Sequence, residues 1–120
     1  MSDVYLFQRG KKQTPYQLVT ASGELDLRTM PTVANDLLQA LRSAVRPPRV
    51  ILDLTEVTFA DCALLAVICP TRAELHEGGG WIRLSYTHPS VHLLLTAAGL
   101  DKTFPCYPTV TRAAWDLPQG

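Results

Sequence analysis

The stretch RVILDLTEVTFADCALLAVICPTRAELHE, Arg49 to Glu77, decides how this chain folds. Val50, Ile51, Leu52 and Leu54 make a short, β-branched apolar run of the kind buried on both faces of a sheet. A polar turn is expected to follow. Asp61 stands directly before Leu64, Leu65, Ile68 and Leu75, which fall on roughly one helical face, so Asp61 is predicted to be a helix N-cap. Strand, turn and exposed helix N-terminus form the usual platform for functional residues in an α/β domain. Pro70 lies inside the predicted helix, lacks the N–H for the Ala66 carbonyl and crowds that turn, which predicts a kink or a break near Cys69.

Toward the N-terminus, Val4 to Arg9 and Tyr16 to Ala21 read as two strands of a hairpin joined by the polar GKKQTP segment. Ser22 and Gly23 are expected to turn the chain. After Thr29, a plausible cap, Val33, Leu37 and Leu41 recur at i, i+4 and i+8, with Ala34, Leu38 and Val45 widening the stripe of a first helix that ends at Pro47 and Pro48. Toward the C-terminus, Gly78, Gly79 and Gly80 end the second helix, and Trp81 to Ser85 alternate as a further strand. Ser90 is predicted to cap a third helix carrying Val91, Leu94, Leu95 and Ala98, closed by Gly99 and Leu100 in the Schellman manner. Phe104 to Tyr107 suits an edge strand because of its prolines, and Val110 to Trp115 a last helical turn. Two strands followed by alternating helices and strands imply an α/β sandwich, one domain over residues 1–120 with a mixed sheet covered mainly by helices.

Composition narrows the function. The chain is 47% hydrophobic and 18% charged, enough apolar material for a core, and its 11 basic and 11 acidic residues leave no footprint for nucleic acid or an anionic membrane surface. No apolar run approaches the roughly 18 residues of a membrane span. The start, MSDVYLFQRGKK, carries its charges after its apolar residues, unlike a signal peptide, so a cytoplasmic protein without membrane insertion is expected. Cys62, Cys69 and Cys106 are odd in number and lack CxxC spacing, which argues against a disulfide framework or a zinc knuckle. Seven residues along one helix separate Cys62 from Cys69 by about 10 Å, beyond the roughly 7 Å reach of a disulfide between Cα atoms.

Catalytic motifs are scarce. The triple glycine precedes a strand, whereas phosphate-cradling loops run from strand into helix, and GxxxxGK, GxGxxG and GxSxG are absent. His88 and His92 are four apart, but Pro89 and the expected Ser90 cap leave His88 outside the helix; packing or surface roles fit both better than metal ligation. His76 near a helix C-terminus suits the dipole. Asp53, Glu56 and Asp61 could be imagined as an acidic metal site, yet Asp53 lies in the apolar run and Asp61 has a capping task. No catalytic residue, metal or cofactor is therefore predicted. Cys62 falls at the first helical position, where unpaired N–H groups favour negative charge; a redox-sensing thiol stands there against the simpler packed, inert cysteine. Leu64 and Leu65 suit the core, with one of them free to face out beside Cys62 as an apolar anchor.

Four blocks, GELDLRTMP at 23–31, VILDLTEVTFADCALLAVI at 50–68, GGGWIRL at 78–84 and HLLLTAAGLDKTFPCY at 92–107, together resemble the successive signatures of the STAS domain, the fold of bacterial anti-sigma factor antagonists. The resemblance implies a STAS-like sandwich, a mixed sheet of about four to five strands with about three to four helices. It also implies protein binding in place of catalysis. In that family an unphosphorylated antagonist binds an anti-sigma factor, often a serine kinase, and frees a sigma factor; phosphorylation of a serine in a DSSG turn ends the binding because the phosphate adds up to two negative charges to a surface that must be desolvated. Here that turn is matched by Asp61, Cys62, Ala63 and Leu64, so Cys62 holds the phosphoacceptor position, Ala63 removes the neighbouring hydroxyl, and Leu64 adds bulk where a partner would approach. Thr58 is the nearest hydroxyl, before the turn. The resemblance places Asp26 and Thr29 beside the turn as further partner contacts. The expected partner is an anti-sigma factor or serine-kinase-type regulator, with homodimerisation left open. A subunit of a stressosome-like or lipid-transport ABC assembly is the alternative.

Overall fold

The computed structural model describes residues 16–119. At its centre β2, Arg49–Ala60, lies between β1, Gln17–Leu25, and β3, Trp81–Ser85, and both pairings are parallel. The connections are α1, Met30–Ser43, and α2, Cys62–Glu77; α3, Pro89–Ala97, and α4, Val110–Ala114, follow β3. Because the strand order is sequential and parallel crossovers are right-handed, α1 and α2 are carried to the same face of the sheet. The core agrees. Val50, Leu52 and Leu54 pack with Val33 and Leu37 of α1, Leu64, Ile68 and Leu75 of α2, and Val91 and Leu95 of α3. Ile51 points the other way, against Tyr107 and Ala113. Burial on both sides is what the apolar run at 50–54 requires, and each such side chain contributes about 1.5–3 kcal/mol by leaving water.

The sheet is narrower than expected. Among the described residues it has three strands, all parallel, and the anticipated four to five strands and mixed pairing are not formed. The predicted strand Val4 to Arg9 and its GKKQTP connection lie outside the described residues. Phe104 to Tyr107 reduces to a single bridge, Ser85 to Tyr107, since the flanking Pro105 and Pro108 have no N–H to extend a ladder. The four helices are those anticipated.

Several local expectations are corrected. Ser22 and Gly23 do not turn the chain: β1 continues to Leu25 through register shifts on either side of them, and Gly23 takes a φ of 75°, which a bulge accommodates at a residue without a Cβ. The polar turn expected after Leu54 is strand as far as Ala60, because Glu56, Val57, Phe59 and Ala60 pair with Ser22 to Leu25 across a bulge at Thr58, and the stretch is rich in Thr, Val and Phe. Helix α2 runs unbroken through Pro70. Pro70 and Ala66 both lie on its exposed side, where water can reach the carbonyl left without a donor. At its far end, Gly80 N–H donates to Leu75 O at 2.9 Å and Gly79 N–H to His76 O at 3.1 Å, a Schellman closure. Glycine is required at position 80, since a Cβ there would sit 1.7 Å from Pro48 O. The cap of α3 is His88 and not Ser90: its Nδ1 accepts from Ser90 N–H at 3.1 Å, and Pro89 occupies the first helical position. Leu38 and Val45, expected to widen the buried stripe of α1, remain exposed.

Candidate functional site

The site predicted from sequence sits where β1 and β2 end and α2 begins. Asp61 is the single residue between β2 and α2 and adopts an extended conformation, φ −118° and ψ −167°. Its carboxylate accepts from Ala63 N–H at 2.9 Å, satisfying one of the free donors of the helix start. Its own N–H donates to Leu25 O at 3.1 Å, which fastens the turn to the end of β1. Cys62, next in line, has an exposed thiol at the first position of the helix. Ala63 is half-buried.

Leu64 does not belong to this surface. Its relative exposure is 0%, and it packs into the core one turn before Ile68. The extra bulk relative to a glycine is therefore spent inside the molecule, and Leu64 is corrected from partner contact to core residue. Leu65 and Val67 pack partly against the same core. The outward surface of the turn is Asp61, Cys62 and Ala63.

Asp26 and Thr29 lie in the segment linking β1 to α1 and lock each other in place. Asp26 Oδ1 accepts from Arg28 N–H at 2.9 Å and Thr29 N–H at 3.2 Å, while Asp26 N–H donates to Thr29 Oγ1 at 2.9 Å. This reciprocal arrangement has the form of a capping box, with threonine in place of the usual glutamate or glutamine. Thr29 occupies the N-cap position of α1, but its hydroxyl makes no cap bond there and donates to Glu24 O at 2.7 Å. Partial burial raises the pKa of the Asp26 carboxyl, yet the N–H groups of Arg28 and Thr29 and the Arg28 guanidinium, 3.1 Å away, outweigh it and hold the carboxyl below its ordinary range. Asp26 is thus an anion whose first duty is to the turn itself.

Leu25 joins the two predicted pieces, preceding Asp26 in the chain and accepting from Asp61. A third piece, absent from the sequence expectations, abuts them: Ser90 Oγ at the head of α3 donates to Thr58 O at 3.2 Å. Two large apolar side chains near this end were also not singled out, Leu27, 83% exposed, and Phe59, 45% exposed. Leu27 shares the parity of buried Leu25, so alternation alone could not have placed it outside.

The described residues contain no grouping of three His, Cys, Asp or Glu side chains able to hold a metal. Asp53 is engaged locally, accepting from Thr55 N–H at 3.0 Å and Thr55 Oγ1 at 2.7 Å. His88 caps a helix, and His92 lies 3.5 Å from Thr96 Oγ1. No helix among the described residues is long and apolar enough to cross a membrane.

The chain belongs to the STAS domain family, whose profile matches residues 11–113. It is 30% identical over 100 residues to an anti-sigma F factor antagonist of Paenibacillus polymyxa, covering 83% of this chain and 85% of that protein. It is 29% identical over 96 residues to a putative anti-anti-sigma factor of Mycobacterium tuberculosis, covering 80% of this chain and 65% of that one. Among solved structures, an anti-sigma factor antagonist from Mycobacterium paratuberculosis superposes with a TM-score of 0.76 at 26% identity, over 89% of each chain.

Proposed function

We propose that this STAS domain works by binding a protein, an anti-sigma factor or serine-kinase-type regulator of the cytoplasm, and that it does so without a phosphorylation switch. The relatives named as anti-sigma factor antagonists supply the class of partner. The observation that carries the second half is Cys62: the position matched to the family's phosphoacceptor holds an exposed thiol, next to Ala63, so the turn offers a serine kinase no hydroxyl. A phosphoserine would place close to two negative charges at the start of α2, beside Asp61 and the acidic end of β1, on a surface the partner must desolvate. With Cys62 that charge is never added, and the domain is constitutively competent to bind.

Asp61, Cys62 and Ala63, with Asp26 and Thr29 alongside, form the contact surface in this proposal. Titration of a purified host anti-sigma factor against Cys62 variants tests it. Cys62→Ala is expected to bind like the parent, and Cys62→Glu, which puts a permanent charge where a phosphate would stand, to weaken binding by about tenfold or more. Equal affinity of the parent and Cys62→Glu would contradict the assignment of the turn.

A further inference from the structure

We propose that the partner-binding face continues past the turn onto the ends of β1 and β2, and that it accepts a protein surface presenting an apolar side chain flanked by arginine or lysine. The proposal rests on the binding role given above to the turn at 61–63. Its centre is Leu27 and Phe59, and its rim is Glu24 and Glu56.

Register sets Glu24, Glu56 and Phe59 at one end of the sheet, and Leu27 follows in the turn that leaves that end. Glu24 is the cross-strand neighbour of Phe59, and Ser22 is that of Glu56, so the glutamates and the phenylalanine share the last rows of two adjacent strands. Leu27 follows two residues after β1, in the turn that Asp26 and Thr29 lock, and is 83% exposed. A leucine held in water by a hydrogen-bonded turn has its backbone already ordered, so covering it on association costs only the freedom of its side chain. Phe59 adds an aromatic anchor of the type that dominates interface energetics.

Charge selects the partner. Glu56 has no basic side chain within ion-pair distance among the described residues. Glu24 has only Arg28, at 4.0 Å, and that guanidinium is more closely engaged by Asp26 at 3.1 Å. An acidic rim of Glu56, unpaired among the described residues, and Glu24, held only by a guanidinium shared with Asp26, around an apolar centre matches a basic protein face and repels phosphate-bearing nucleic acid or lipid.

The test uses the full chain and purified serine-kinase-type anti-sigma factors encoded by the host, each titrated by calorimetry against the parent, Cys62→Trp, Leu27→Ser, Phe59→Ser and Glu56→Lys, with circular dichroism confirming each fold. Leu27→Ser guards against misfolding of Phe59→Ser, since Leu27 has almost no packing to lose. A factor that binds the parent is expected to lose about tenfold or more in affinity with Leu27→Ser and with Glu56→Lys, and to bind more weakly as salt rises. If Cys62→Trp abolishes binding while Leu27→Ser and Glu56→Lys stay within about twofold of the parent, the extension is overturned and the turn alone is the site. If no such factor binds the parent, the extension and the proposed function fall together.

Discussion

The amide of Asp61 donates to the carbonyl of Leu25 at 3.1 Å, so the residue that starts α2 is also the one that ties β2 to the end of β1. Its side chain faces the other way and caps Ala63. One residue thereby sets both the position of the turn and the direction of the helix that presents Cys62.

Asp61→Ala keeps the backbone bond to Leu25 and removes only the cap. The expected loss is about 1 kcal/mol, within a range of roughly 0.5–2, which for a domain of this size lowers Tm by several degrees. Asp61→Asn, which preserves an acceptor, should recover most of it. Thermal denaturation followed by circular dichroism measures both, and equal melting of Asp61→Ala and the parent would show that the cap contributes nothing.

Leu64→Ala is predicted to act on stability and not on a surface. Its side chain is fully buried with Ile68 and Leu75, so truncation leaves a cavity and costs about 2–5 kcal/mol in denaturant unfolding. A loss under about 1 kcal/mol would mean that the site collapses around the smaller residue.

Tyr107 gives the fold an alkaline limit. Burial, and then the hydrogen bond its hydroxyl donates to Asp116, raise its pKa to about 12, with Arg83 opposing. A tyrosine exposed by unfolding titrates near 10, so the folded state holds the proton more tightly. The stability this brings is complete below about pH 10 and is lost as pH rises toward about 12. Tyr107→Phe should lessen the slope of that part of the stability profile measured by chemical denaturation, leaving the share of Tyr86, whose hydroxyl pKa is also raised by burial. An unchanged profile would exclude Tyr107 as the cause.

Ser85 presents the opposite case. Its hydroxyl is fully buried and finds no hydrogen-bond partner among the described residues. An unsatisfied buried polar group costs about 1–3 kcal/mol, so Ser85→Ala is expected to leave stability unchanged or raise it. Destabilisation beyond about 1 kcal/mol would reveal a water that bridges the hydroxyl in solution.

The parts of this structure that were legible in the sequence are those specified locally. Val50 to Leu54 marked a two-sided buried strand, Asp61 marked the start of α2, and Gly99 with Leu100 marked the end of α3, where Leu100 N–H donates to Leu95 O at 2.8 Å. The extension of β2 to Ala60 was not legible, because the stretch Thr55 to Thr58 becomes strand only where Glu56 and Val57 pair with Ser22 and Gly23, more than thirty positions earlier. Leu64 is more instructive. Its spacing with Ile68 and Leu75 already placed it on the buried face, but its match to a glycine in a binding turn drew it outward; the helical period was the better guide. Leu27 escaped both, since nothing local distinguishes a leucine that ends a strand from one in the turn after it.

The central claim is a binding surface whose switch is absent, and one mixture tests it: the purified chain, a host serine-kinase-type anti-sigma factor and ATP, followed at once by native mass spectrometry for the complex and by intact mass for phosphate. The account predicts a complex that ATP leaves undiminished and a chain whose mass does not change. Phosphate gained on the chain as the complex disappears would contradict it, as would the absence of any complex.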